Sequence, residues 1–454
     1  MINRTNELKQ LQKLYESEHN QLVLLYGTSR SEKEQLISAF CKDKKSFYFR
    51  GRNASPQKQL AMLQAEVEER FEVKLQKNSY DECFNRIRSG DSSKLVVVID
   101  EFATIVRRDH EFFESILKLK KRKLYPGPVL ILLTSSSLTW VKRDMESTLG
   151  EDLKAIDVMM PLADLTFLDV VRTLPKYTVA QAVQTYGIIG GVPAYLDRWD
   201  GDKGVKENIC DLVLDGRGFL HGEAEAFISG ELRELAVYDT ILSAMASGKE
   251  KLNDLYQETG YSRAKISVYL KNLASFDVIE KVVSFETGGW ENTKKGIYRI
   301  KNHFIDFWFH FIYPHLSDLY LMDAGAFYDT YIELGLDAYL RRYFVDVCKE
   351  YLELLNRVGK VPIHIEKMGT WIGKKGTIDV VGRDAIRDCV VGVTNWDAPE
   401  MTYARYEQLL TDMKSARIHA KTMYLFSAKS FEKELVELEQ QEGSGVVLVD
   451  MTEL

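Results

Sequence analysis

Gly27-Thr28-Ser29-Arg30-Ser31-Glu32-Lys33-Glu34 has the length and two of the fixed residues of a phosphate-binding loop, whose pattern is G-x-x-x-x-G-K-[ST]. Such a loop surrounds phosphate oxygens with backbone N–H groups and the N-terminus of a helix. Gly27 opens it and Lys33 supplies the ammonium. Glu32 stands where the second glycine belongs, and Glu34 where the hydroxyl that holds magnesium belongs. Glycine lets the backbone approach the phosphates closely; Glu32 adds both bulk and negative charge. Two unit charges about 4 Å apart repel by roughly 4 kcal/mol at an effective dielectric near 20, which is about three orders of magnitude in affinity. The Glu34 carboxylate is able to ligate magnesium, yet it carries a second anion toward a triphosphate. Lys33 is expected to pair with its glutamate neighbours instead. The plain alternative, an ordinary surface loop, loses ground to a second element at a fitting distance. Lys94-Leu95-Val96-Val97-Val98-Ile99-Asp100-Glu101-Phe102 is an apolar strand that ends in two acids. In a working nucleoside triphosphatase Asp100 would bind magnesium and Glu101 would polarise the attacking water. Their bland role is helix capping and surface charge at a strand end. A third strand, Val129 to Leu133, runs into Thr134-Ser135-Ser136-Ser137, which would either sense a γ-phosphate or form a Ser/Thr turn.

These residues need a frame. Gln21 to Tyr26 reads as a buried strand leading into the loop, and Leu36-Ile37 as the apolar start of a helix behind it. Strands are expected at Leu22–Tyr26, Ser46–Arg50, Leu95–Ile99, Val129–Leu133 and Asp157–Leu162, alternating with helical stretches, which predicts a parallel α/β sheet. Leu8, Leu11 and Leu14 give the opening helix its spacing. Residues 163–225 read as helical, broken by Gly190-Gly191-Val192-Pro193. Residues 226–318 predict three helices (Leu232–Ala246, Leu252–Thr259, and one capped by Ser262) and two short strands, Val278–Ser284 and Gly296–Ile300, the pattern of a helix-turn-helix with a wing. Arg263, Lys265, Lys271, Lys281, Lys294, Lys295, Arg299 and Lys301 are candidate DNA phosphate contacts; a solvated, protein-packing face is the equal alternative. The aromatic run Phe304 to Phe311 predicts core, with His310 as a satisfied core histidine. A last α/β module has expected strands at Pro362–Glu366, Thr377–Val381, Cys389–Thr394, Thr422–Phe426 and Val446–Val449.

With 454 residues, 45% hydrophobic and 28% charged, the chain predicts several globular modules. No apolar run has membrane-spanning length, and the N-terminus does not read as a signal peptide. Five scattered cysteines without a C-x-x-C pair predict free thiols in a reducing cytoplasm and no zinc site. The net charge of −7 confines any nucleic-acid contact to a local basic surface.

Together these features resemble the archaeal-type ATPase family of archaea and bacteria. The anchors are Asn3-Arg4-Thr5-Asn6-Glu7-Leu8, Val98-Ile99-Asp100-Glu101-Phe102, Gly190-Gly191-Val192-Pro193-Ala194-Tyr195-Leu196, and Tyr298-Arg299-Ile300 followed by Phe307-Trp308-Phe309. The resemblance implies an α/β multidomain chain: an AAA-like P-loop NTPase core over 1–162, a helical lid over 163–225, a winged helix over 226–318 and a restriction-endonuclease-like domain over 319–454. It also implies ATP and Mg²⁺ as cofactors and a metal-dependent nuclease site. This chain departs from the pattern at the loop and again in the last domain. Val345 and Thr377 stand where acids are expected, and Val393-Thr394-Asn395-Trp396 replaces a Glu-x-Lys element, leaving Asp379 as a vestigial nuclease acid. One carboxylate does not build a metal site. Two emptied sites predict a non-catalytic regulatory or interaction scaffold that contacts DNA, an active relative or another copy of itself, and no membrane. The alternatives are a working ATPase with a variant loop and a winged-helix DNA-binding regulator.

Overall fold

The computed structural model describes residues 4–88, 90–122, 127–231, 234–285 and 296–454. Lys294 and Lys295 lie outside them, as do the start of the helix expected from Leu232 and the residues joining the two expected wing strands. The described chain divides into two compact units, 1–164 with 192–197, and 165–191 with 198–454.

The first unit runs α1 (Thr5–Glu16), β1 (Gln21–Tyr26), α2 (Lys33–Cys41), β2 (Ser46–Arg50), α3 (Pro56–Phe71), α4 (Tyr80–Arg86), β3 (Leu95–Asp100), α5 (Phe102–Val106), α6 (Glu111–Lys121), β4 (Val129–Ser135), α7 (Met145–Leu149) and β5 (Val158–Pro161). The five strands make one parallel sheet in the order β2-β3-β4-β1-β5. The apolar runs of β1, β3 and β4 are continuous because helices cover both faces, whereas the edge strands β2 and β5 alternate with exposed residues. Leu22, Leu24, Val97, Ile99, Ile131 and Leu133 pack on the side of α3 to α6. Val23, Leu25, Val96, Val98, Leu130 and Leu132 pack with Leu11 of α1 and Leu36, Ile37 and Phe40 of α2. Alternation along each strand thus assigns successive residues to opposite cores. Lys94, just before β3, is 7% exposed, and its ammonium donates to the carbonyls of Leu14 (3.1 Å), Ser17 (2.5 Å) and His19 (3.1 Å) at the end of α1. The Ser17 N–H also reaches the Leu14 carbonyl, at 3.4 Å, while the Ser17 and His19 carbonyls lie just past the helix; a cation there favours the negative end of the helix.

The chain then passes through α8 (Phe167–Thr173) and α9 (Val179–Ile189) of the second unit. Gly190 ends α9 at φ 64°, a left-handed conformation that glycine adopts without steric cost. Gly191 serves a different need: a Cβ there would stand 1.8 Å from the Leu165 carbonyl oxygen. The backbones also bond, Leu165 N–H donating to Gly191 O at 2.8 Å. Pro193 then starts the short α10 (Pro193–Leu196), which belongs to the first unit.

The second unit continues with α11 (Val205–Ile209), α12 (Glu223–Glu231), α13 (Leu235–Ala246), α14 (Leu252–Thr259) and α15 (Arg263–Ser275). Gly260 at φ 70° stops α14, and the Ser262 side chain accepts from Lys265 N–H to cap α15. β6 (Ile279–Val283) and β7 (Gly296–Ile300) pair antiparallel. The aromatic run forms α16 (His303–Phe307) and a π-helical turn, with Phe304, Phe307, Trp308, Phe309 and Phe311 buried. His310 does not share that burial. It faces outward with its Nδ1 on the Ala246 carbonyl at 3.1 Å, because its place in the helical turn puts it opposite the apolar stripe.

After α17 (Leu316–Leu321), α18 (Ala324–Phe327) and the 25-residue α19 (Glu333–Arg357) comes a mixed sheet of β8 (Lys367–Ile372), β9 (Thr377–Arg383), β10 (Cys389–Asn395), β12 (Ala420–Ser427) and β14 (Val446–Asp450). Its order is β14-β12-β10-β9-β8, parallel from β10 to β14 and antiparallel from β10 to β8. β11 (Glu400–Met401) and β13 (Ser430–Phe431) pair separately, and α20 (Tyr403–Ala416) and α21 (Lys433–Glu439) complete the unit. The strand expected at Pro362–Glu366 is not there. Pro362 has no N–H for a ladder, and the Asn356 side chain engages both backbone groups of Ile365, at 2.8 and 2.9 Å; pairing begins at Lys367.

Candidate functional site

Because β4 lies between β1 and β3, the carboxyl ends of all three converge on one edge of the sheet. Tyr26 is in register with Ser135, and Ile99 with Leu133. The loop after β1, the acids after β3 and the polar end of β4 therefore meet, as ligand-binding groups do beyond the carboxyl ends of parallel strands.

Gly27 is fixed by space, since a Cβ would come within 2.7 Å of Leu162 O and 2.9 Å of Ser31 Oγ. Thr28 and Arg30 are half-buried, Ser29 is exposed, and buried Ser31 turns its hydroxyl back to Thr28 O at 2.8 Å. Glu32 hands the loop to α2 with φ 58° and ψ 38°. A residue with a Cβ pays on the order of 1 kcal/mol for that left-handed geometry, so glycine suits this position for its backbone as well as its size. The Glu32 side chain is 9% exposed. One oxygen accepts from Gln35 Nε2 at 2.9 Å, and the other has no partner. Burial first, then the nearby Asp197, push its carboxyl above the usual range, opposed by Arg4 and the Gln35 bond.

Lys33 is fully buried. Its ammonium donates to Thr28 O at 2.7 Å, to Gly27 O at 3.2 Å and to Ser31 Oγ at 3.4 Å. The loop is thus closed on its own lysine, and the expected direct pairing of Lys33 with its glutamate neighbours is not formed. Burial lowers the Lys33 pKa, with Glu101, Glu34 and Asp100 working against that and Arg50 adding to it. Glu34 is exposed in the first turn of α2.

Asp100 is fully buried and has two hydrogen-bond donors and one cation beside it. Thr134 Oγ1 donates to Oδ1 at 2.5 Å; Tyr48 OH donates to Oδ2 at 2.6 Å; the Arg50 Nε stands 3.4 Å from Oδ2. Burial and this bond to Asp100 raise the Tyr48 phenol far above its ordinary pKa. Glu101 also has a left-handed backbone, φ 53°. Its N–H donates to Thr134 Oγ1 at 2.9 Å, and its carboxylate accepts from the Ser136 hydroxyl and from Ser136 N–H at 3.3 Å. The Thr134–Ser136 segment thus holds both acids, which gives the polar end of β4 a structural duty.

The site has further participants, of which Tyr48 and Arg50 carry no mark in the sequence beyond their place in a strand. Tyr48 and Arg50 are the polar alternates of SFYFR, whose Phe47 and Phe49 enter the core. Arg4 is 4% exposed, pairs with Glu7 at 3.0 Å and donates to Ser31 O at 3.4 Å. Ala194 N–H donates to Arg30 O at 3.3 Å, which ties α10 to the loop.

In the second unit, Asp379 is bound within the fold. One oxygen accepts from Thr394 N–H at 2.9 Å, Thr394 Oγ1 at 3.2 Å and Arg405 Nη2 at 3.3 Å. Val345 is half-buried, Val393 lies in the core, and Asn395 bonds Ala398 O and Ser427 Oγ. Among the described residues no three His, Cys, Asp or Glu side chains gather as a metal ion needs.

On α15, Arg263, Lys265 and Lys271 are exposed, with Arg263 over the Tyr256 ring (4.1 Å) and Lys265 over Tyr261 (4.7 Å). The helix contains no acid. The hairpin is less free: Arg299 pairs with Glu250, Lys301 with Asp277, and Lys281 lies over Tyr298.

Comparison with known proteins gives two family matches. Residues 1–198 match an "ATPase domain predominantly from Archaea", and residues 308–407 match a family described as archaeal and bacterial proteins of unknown function. An uncharacterized protein of Methanocaldococcus jannaschii is 25% identical over 386 residues, covering 84% of this chain and 83% of that one. Among solved structures, a Walker-type ATPase of Pyrococcus abyssi is similar at a TM-score of 0.47 and 16% identity, over 68% of this chain and 96% of that one. The Aeropyrum pernix ORC2 protein, solved in ADPNP and ADP complexes, is similar at 0.47 and 12% identity, over 70% and 94%. No helix among the described residues is long and apolar enough to cross a membrane.

Proposed function

Starting from a chain whose first 198 residues belong to an ATPase family found predominantly in Archaea, we propose that its P-loop unit is a non-catalytic scaffold that no longer uses Mg-ATP. The family implies nucleotide and, with it, Mg²⁺, so the residues must be tested against that pair. In such a site Lys33 and the loop N–H groups would hold the phosphates, and Asp100 with a loop hydroxyl would hold the metal. The present donors fit poorly. Glu34 offers no hydroxyl, Glu32 keeps a buried oxygen without a partner, and Lys33 is spent on Gly27, Thr28 and Ser31. The observation that carries the reading is Asp100, whose two oxygens already accept from Thr134 and Tyr48 beside Arg50. Titration calorimetry with ATP and Mg²⁺ tests it: no saturable binding tighter than ~1 mM is expected, and a micromolar Kd overturns the reading.

What the scaffold binds is read from the second unit. Helices α13 to α15 and the β6–β7 hairpin suit a winged helix, with α15 as the element that enters a DNA groove. Arg263, Lys265 and Lys271 would contact phosphates. A protein partner, an active relative or a second copy, is the other occupant this scaffold would serve. The last α/β module, with Asp379 committed to Thr394 and Arg405, is read as a restriction-endonuclease-like fold without nuclease chemistry. A working ATPase with a variant loop is the second reading, favoured by the retention of Lys33, Asp100 and Glu101. Hydrolysis abolished by Glu101→Gln would support it, and absence of turnover in the unaltered protein would end it.

A further inference from the structure

We infer that Tyr48 and Arg50 form an internal cap that takes the place of a divalent cation at Asp100, a second lock on the cradle that acts independently of Glu32 and Glu34. The inference rests on the scaffold reading above and names the device that enforces it.

The register explains how the cap is built. β2 lies beside β3 with Arg50 opposite Asp100 and Tyr48 opposite Val98. Residues two apart on a strand share a face, so the phenol and the guanidinium of β2 both reach Asp100. Phe47 and Phe49, on the other face, are buried in the core and fix the strand. From the opposite side β4 supplies the Thr134 hydroxyl. A carboxylate with no solvent exposure is costly unless it is hydrogen-bonded and paired, and these groups meet both needs. Arg50 also lies within electrostatic reach of Lys33, on which it acts as a like charge. A metal ion arriving at Asp100 must therefore expel the Tyr48 hydroxyl and either displace or repel a guanidinium that never loses its charge. Arg50 is itself half exposed, so its removal leaves little packing to collapse.

The consequence is specific: repairing the loop alone does not restore a metal site. Three proteins decide this, E32G/E34T, E32G/E34T/Y48F/R50Q, and the latter with D100N, using a fluorescent ATP analogue in Mg²⁺ and in EDTA. The first is expected to bind the analogue within about twofold of the same affinity in both media. The second is expected to bind at least tenfold more tightly in Mg²⁺, and D100N to erase that gain. A tenfold Mg²⁺ preference in E32G/E34T with the cap intact would overturn the inference, as would no preference in the uncapped protein. A second measurement needs no nucleotide. Mn²⁺ titration followed by electron paramagnetic resonance should show one site gained in Y48F/R50Q over the unaltered protein, and lost again in Y48F/R50Q/D100N. No gain there refutes the cap even if neither repaired loop binds the analogue. Micromolar Mg-ATP binding by the unaltered protein would instead strike the scaffold reading itself.

Discussion

Glu32 concentrates the conflict at this site in one side chain. It holds a left-handed backbone, keeps a buried oxygen without a donor, and stands near another acid, Asp197. Its carboxyl is held above the ordinary range, so the folded state binds this proton more readily than the unfolded chain. Its contribution to stability therefore rises as pH falls from neutral through that raised value, and is complete below the ordinary glutamate range. Glu32→Gln should be more stable than the unaltered protein at pH 7, and the difference should vanish on acidification, as followed by urea unfolding across pH. Glu32→Gly should gain about 1 kcal/mol more from relief of the backbone. The sequence displays the identity of Glu32 and its place in the loop. It does not display the positive φ, because no side-chain type marks a glutamate that tertiary contacts force into that region. The same holds for Glu101 at φ 53°.

Among the elements, those defined by long apolar runs were the most legible. The five strands of the first sheet lie where the expected runs put them, within a residue or two; for β1, β3 and β4 burial on both faces leaves an unbroken signal, and β2 is marked by alternation. Gly260 and Ser262 likewise marked the helix ends they form. Pro362–Glu366 misled because a β-like composition says nothing of Asn356 from the preceding helix. The partners of Asp100 were hidden for a related reason. SFYFR shows an alternation, but only the strand order reveals which carboxylate its polar face meets. The glycine pair after α9 was legible as a break, whereas the close approach to Leu165 was not. Gly191→Ala places a methyl against that carbonyl and should cost about 3 kcal/mol. Thermal unfolding of the variant beside a Gly216→Ala control, where nothing lies within 4 Å, would check it; equal melting temperatures would contradict it.

For the whole molecule, charge decides where an anionic partner can land. A chain of net charge −7 repels nucleic acid at a distance, so the duplex contact proposed for α15, a helix with cations and no acid, would have to be local. Glutamate at positions 263, 265 and 271 should abolish duplex binding at low salt. Single replacements by Ala should each reduce the slope of log K against log[salt] by about 1. Gel-shift titrations in rising salt report both quantities, and an unchanged slope would remove α15 from the interface.

Lys94 makes the opening helix depend on a strand distant in sequence. Its amine donates to three carbonyls at and just beyond the end of α1. With Lys94→Met those oxygens lose their shared donor, and α1 should become the first part of this unit to fray. Deuterium uptake would then appear in α1 well before β1, and equal protection in both would show that the amine is dispensable.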